Sequence, residues 1–101
     1  MSKSSFTDII NSATPVLVDF HADWCGPCKA QAPILKQLKS EMGDKIRIVK
    51  IDVDRNQPLA SKLGIRSIPT LMIYQAGERK WQAMGVQNLA LLKQQLESLI
   101  E

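Results

Sequence analysis

The sequence predicts an α/β domain, a mixed β-sheet with helices on both faces. Three observations carry that expectation. Two short apolar, β-branched runs, "PVLVDFHA" at 15–22 and "KIRIVKIDVD" at 45–54, flank a stretch with helical apolar spacing. Strand, helix, strand in that order implies a parallel pair joined by a right-handed crossover. Further on, "TLMIYQ" and "RKWQAMG" stand either side of a short Ala-Gly-Glu turn and read as an antiparallel hairpin. A sheet built from both kinds of pair packs best with helices on its two faces.

The elements follow in order. Residues 5–12 read as a short helix with Phe6, Ile9 and Ile10 on one side, and 16–21 as a strand. A helix runs from about Gly26 to Met42, with Ile34, Leu35, Leu38 and Met42 at helical spacing. Pro33 falls inside it and predicts a kink, and Gly43 predicts its end. In the next strand Ile46, Ile48 and Lys50 share one face, and Val49, Ile51 and Val53 share the other. In "NQPLASKLGI", Asn56 or Gln57 leads into a short helix, Pro58 fits its first turn and Gly64 stops it. Strands at 70–75 and 79–85, joined by 76–78, complete the sheet. Asn88 caps a last helix whose buried stripe is Leu89, Leu92, Leu96 and Leu99.

At 101 residues the chain has room for one domain, 1–101, and not for two. Its 45% hydrophobic content supports a small core. The net charge of +3 comes from 13 basic and 10 acidic residues scattered along the chain. There is no basic stripe with interleaved aromatics, so a nucleic-acid partner is not expected. No run reaches membrane-spanning length, and "MSKSSFTDII" lacks the apolar stretch of a secretory leader. The expectation is a soluble cytoplasmic protein with no membrane partner, and nothing demands more than a monomer.

Cys25 and Cys28, within "ADWCGPCKAQAP" at 22–33, are the only cysteines. They allow three readings. A zinc site needs four ligands, and only His21 stands beside this pair, although two chains sharing a cluster would supply four thiolates. A structural disulfide across two residues closes a tiny loop, gains little from loop entropy and does not persist in a reducing cytoplasm. A redox pair fits the placement best. Cys25 lies just before a helix N-terminus and Cys28 about one turn in, within bonding reach. Unpaired N–H groups and the positive dipole end favour a thiolate at Cys25. Pro27 costs no hydrogen bond in the first turn. Lys29 adds positive charge nearby, and Asp23 opposes it.

"WCGPCK" at 24–29, Pro33, "SIPT" at 67–70 and Gly85 occur in the order seen in thioredoxins. "VDF" before the motif and "IDVD" after it agree, and the chain resembles the thioredoxin family over nearly its whole length. The resemblance implies the thioredoxin fold and a dithiol–disulfide oxidoreductase that reduces protein disulfides. Cys25 is then the exposed nucleophile and Cys28 the resolving thiol. Acidity alone does not make such exchange fast. A thiolate fraction raised roughly tenfold is offset several-fold by lower nucleophilicity, at a Brønsted slope of about 0.4–0.5. Substrate docking and the closeness of Cys28 contribute more.

Strand alternation puts Leu17, Asp19 and His21 on one face, where burial would raise the pKa of Asp19. By resemblance, Asp19 is the base that takes the proton of Cys28, and Lys50 is its paired lysine. The bland alternatives are a strand-end carboxylate facing solvent and an ordinary surface lysine. Pro69 matches the family's cis proline, and the Ile68 backbone would then pair with an extended substrate segment. Trp24, Gly26, Pro27, Ile68, Pro69 and Gly85 form the implied docking surface. Trp24 as core packing and Gly85 as a strand-end glycine are the simpler readings. The resemblance implies no bound cofactor. Electrons come from a thioredoxin reductase, with NADPH upstream, and pass to disulfide-containing protein substrates. Two rivals keep the fold: an interaction or chaperone subunit with an incidental pair, and an isomerase or oxidase.

Two departures stand out. Only "MSKSS" precedes Phe6, so the family's first strand is expected to be missing or vestigial. Four strands would remain, with 46–53 at an edge guarded by Lys45, Arg47 and Lys50. His21 occupies a position where the family often has a bulky aromatic; packing or a hydrogen bond is its expected role.

Overall fold

The computed structural model describes residues 3–100. The elements, in chain order, are α1 (Lys3–Ile10), β1 (Val16–His21), α2 (Gly26–Met42), β2 (Arg47–Asp52), α3 (Gln57–Lys62), β3 (Thr70–Gln75), β4 (Glu78–Met84) and α4 (Leu89–Ile100). Among the described residues one four-stranded sheet forms, in the order β2-β1-β3-β4. β1 pairs parallel with β2 and antiparallel with β3, and β3 pairs antiparallel with β4. The mixed sheet and the edge position of β2 are as expected. Met1 and Ser2, part of the segment where the family's first strand was sought, lie outside the described residues.

Alternation along the strands sorts the core into two layers. Val16, Val18 and Phe20 of β1 meet Phe6 and Ile10 of α1, Leu59 of α3, and Met72 and Tyr74 of β3. Leu17 turns the other way, onto Leu35, Leu38 and Met42 of α2 and Leu92 and Leu96 of α4. β1 carries apolar residues on both faces because helices cover both. Asp19 and His21 are the exceptions in that strand, and both share the face of Leu17.

Local chemistry explains the boundaries. α2 ends where Gly43 takes φ +56°, and its N–H donates to the Lys39 carbonyl. Pro33 sits inside α2 without ending it. The second strand is shorter than 45–54 because Gly43–Lys45 forms a single 3₁₀ turn and the chain turns again after Asp52. The hairpin turn is Ala76–Gly77, both with positive φ, so β4 starts at Glu78 rather than at 79. The Asn88 carboxamide accepts from the Leu91 N–H at 2.9 Å and caps α4 as its sequence predicts. The first helix lies two residues earlier than 5–12, since Asn11 and Ser12 already lead toward β1.

Candidate redox site

β1 delivers the chain to the mouth of the site. After His21 a tight turn, closed by the Cys25 N–H donating to the Ala22 carbonyl at 3.2 Å, sets Cys25 at the N-cap of α2. Cys25 is extended there, with φ −85° and ψ 112°, and its Sγ accepts from the Cys28 N–H at 3.1 Å. Sulfur thus fills the capping role usually given to Ser or Asp, and a thiolate would sit where helix N–H groups converge. Cys25 and Cys28 are joined as a disulfide with their Cα atoms 5.2 Å apart. That spacing falls in the ordinary disulfide range.

Burial corrects one expectation. Cys25, expected to be exposed, is only 3% exposed, and Cys28 is 6% exposed. The pair packs against Ala22, with Val53 and Ile68 closing in from distant segments. The Cys25 Sγ lies 3.8 Å from the Ile68 carbonyl oxygen. The Ile68–Pro69 peptide bond is cis, as the resemblance implied. The Pro69 carbonyl accepts from the Gly85 N–H at 2.8 Å, which places Gly85, at φ +83°, beside the same loop.

Around the pair, Gly26 and Pro27 are exposed, Ile68 and Gly85 half-buried, and Pro69 buried. Trp24 is 69% exposed, so core packing is excluded for it. Its indole N–H donates to Asp54 Oδ2 at 2.8 Å, which pins the ring beside the β2–α3 turn. Of the residues of the implied docking surface, Pro69 alone is buried.

Asp19 is 2% exposed, and its Oδ1 has no hydrogen-bond partner. Burial pushes its carboxyl above the usual range, and the neighbouring His21 and Lys50 pull back in smaller measure. A cavity of about 170 Å³ is lined by Asp19, His21, Cys28, Ala32 and Lys50, among others. The solvent-facing alternative for Asp19 is thereby removed. Lys50 stands opposite Asp19 in the β1–β2 register, yet no ion pair joins them. It borders the same cavity from its exposed position on β2.

Gln31 is a residue that sequence reasoning missed. It is fully buried, donates from Nε2 to the Gln87 carbonyl at 3.1 Å and accepts at Oε1 from the Gln87 N–H at 2.7 Å. These two hydrogen bonds tie α2 to the loop that carries Gly85. The only sequence signal was a polar residue one turn before Leu35, on the buried face of the helix.

Among the described residues no group of three or more His, Cys, Asp or Glu is placed to hold a metal ion. Among them, too, no helix is long and apolar enough to cross a membrane.

Two sulfurs on Cα atoms 5.2 Å apart can hold two electrons as a dithiol and give them up as a disulfide. A fold that holds them at a helix N-terminus, above a buried acid, defines a dithiol–disulfide oxidoreductase. Known proteins agree with that class. The family model for Thioredoxin matches residues 1–98. The thioredoxin of Rickettsia prowazekii (strain Madrid E) is 43% identical over 89 residues, covering 87% of this chain and 85% of the relative. The thioredoxin of Acidithiobacillus ferridurans is 42% identical over 102 residues, covering 100% of this chain and 91% of its own. The solved structure of a mutant thioredoxin from Halobacterium salinarum NRC-1 superposes with a TM-score of 0.88 at 38% identity, covering 100% of this chain and 88% of that one. The chain belongs to the thioredoxin family.

Proposed function

We propose that this oxidoreductase works as a reductant of protein disulfides. The observation that carries the reading is the capped Cys25–Cys28 pair set over the cavity that Cys28 shares with the unpartnered Asp19. In the reduced protein the Cys25 thiolate attacks one sulfur of a substrate disulfide. A Cys25–substrate bond forms, the substrate S–S bond breaks and one substrate thiolate leaves. Cys28 then gives its proton to Asp19, directly or through a water in the cavity, and attacks the Cys25 sulfur. The second substrate thiolate leaves and takes up a proton. Two electrons have passed to the substrate, and the Cys25–Cys28 disulfide remains.

Trp24, Gly26, Pro27 and Ile68 offer the docking surface, with Pro69 and Gly85 holding its far side in place. The half-buried Ile68 backbone suits a short extended pairing with substrate. Burial of Cys25 supports a docking requirement, since a small opening admits a positioned disulfide better than a random one. Lys50 tunes the charge on Asp19 across the cavity. No cofactor is bound in this scheme. A thioredoxin reductase with NADPH upstream restores the dithiol, and the protein acts as a monomeric single unit, 1–101, in the cytoplasm.

The test is the reduction potential of the pair, read by equilibration in dithiol/disulfide buffers. Thioredoxins as a family lie at about −270 mV and protein disulfide isomerase at about −180 mV, general figures rather than values worked from this chain. A value below about −240 mV is expected, and one near −180 mV or higher would overturn the direction of the reaction.

A further inference from the structure

β2 is an edge strand, and its outer side is blocked at both ends but open in the middle. The Arg47 N–H donates to the Pro15 carbonyl at 2.9 Å and the Val53 N–H to the His21 carbonyl at 2.8 Å. Odd-numbered residues therefore turn their backbone groups toward β1, and even-numbered ones turn theirs outward. Of the outward groups, the Ile46 carbonyl accepts from Lys39 Nζ at 2.8 Å and the Asp52 carbonyl from Asn56 Nδ2 at 2.9 Å. The N–H and C=O of Ile48 and Lys50, and the N–H of Asp52, lie between these caps with no strand beside them among the described residues.

Beside this gap lies a cleft of about 450 Å³ between α2 and β2. Its floor is Ala32, Pro33, Leu35 and Ile48, and its rim is Lys36, Lys39 and Lys50. The volume is within the range of ligand-binding clefts. Lys39 is engaged with the Gly43 and Ile46 carbonyls, which leaves the exposed Lys36 and Lys50 as the rim charges not held by such bonds. Asp52, the acidic residue on this edge, is occupied by the Asp54 and Arg55 N–H groups and faces the Arg55 guanidinium.

We propose that the open middle of β2 and its lysine-rimmed apolar cleft dock an extended, carboxylate-bearing segment of a partner protein as a fifth strand. The backbone gap provides the ladder, the floor takes an apolar side chain, and Lys36 and Lys50 take carboxylates on the same face. The same lysines, with Arg47, disfavour a second copy of this chain, because two such edges would bring like charges together. The ladder from Ile48 to Asp52 calls for about five residues at roughly 3.3 Å each. Side chains one, three and five then share the face toward the cleft.

The probe is the blocked peptide Glu-Thr-Val-Thr-Glu, titrated into the oxidised protein and followed by amide NMR. Saturable shifts are expected at Ile48, Lys50 and Asp52, weakening as salt is added. Lys36→Glu, at an exposed position that contributes nothing to the core, is expected to weaken binding about three- to tenfold with the fold unchanged. Peptides N-methylated at alternate positions decide whether a ladder forms: methylation of one alternating set is expected to abolish binding and of the other to spare it. Equal binding by both methylated sets, equal binding of Lys-Thr-Val-Thr-Lys, or no saturable shift at millimolar peptide would overturn the proposal. Sedimentation showing that β2 pairs with a second copy would overturn it as well.

Discussion

Asp19→Ala is expected to make the oxidised protein more stable at neutral pH and to gain less in acid. The carboxyl is buried, its Oδ1 has no partner, and burial raises its pKa in spite of His21 and Lys50. An acid with a raised native pKa binds its proton more tightly folded than unfolded. Stability is therefore highest below the unfolded value, about 3.9, and falls as pH climbs toward the raised native one. Above the raised native value the native state carries the whole penalty. An unpartnered buried polar atom costs about 1–3 kcal/mol, and more when charged. The carboxyl already borders a cavity of about 170 Å³, so truncation enlarges existing space rather than opening a new void in the core. A gain of about 2 kcal/mol corresponds to a rise in Tm on the order of 10 °C for a domain of this size. Urea unfolding at pH 7 and at pH 4 measures both limbs. A variant no more stable than the parent at pH 7, or one with the same gain at pH 4, would refute the reasoning.

The remaining predictions concern the pair and its support. Cys28→Ser is expected to accumulate a mixed disulfide between Cys25 and a protein substrate, visible by mass spectrometry, whereas Cys25→Ser should form none. Asp19→Ala is expected to slow release of the second substrate thiolate by about a hundredfold or more while leaving the first attack less affected, read by rapid quench. Gln31→Leu removes both partners of the Gln87 backbone and is expected to cost about 1–3 kcal/mol in denaturant unfolding.

The elements were legible in the sequence because each is written in short-range patterns. β1 and β3 appear as compact β-branched runs, α2 as a helical apolar repeat between a capping cysteine and Gly43, and α4 as a leucine stripe behind Asn88. The site was legible in part. "WCGPCK" and "SIPT" lie 43 residues apart between Cys25 and Ile68, and only the family pattern joined them before the fold did. What was not legible depends on which distant segment arrives. Cys25 is covered because Val53 and Ile68 close over it, and nothing near Cys25 in sequence encodes that. Trp24 stands out in solvent because Asp54 holds its indole there. Nothing in the sequence near Gln31 sets it apart, and only its meeting with Gln87, 56 residues on, gives it a role. Lys50 was expected to pair with Asp19; it stands opposite in register but makes no ion pair with it, because the distance an ammonium keeps is set by side-chain conformation and cannot be read from register.

The place of β1 in the middle of the sheet also bears on how the chain is made. Its partners come late: Val16 pairs with Arg47 on one side and with Tyr74 on the other. A nascent chain emerging from the ribosome can therefore build the βαβ half early but cannot close the second side of β1 until β3 has left the exit tunnel. Until then a strand of Val, Leu and Phe has one unsatisfied edge. Such long-range closure slows folding and makes the half-finished chain a natural client for whatever shields apolar strands during synthesis.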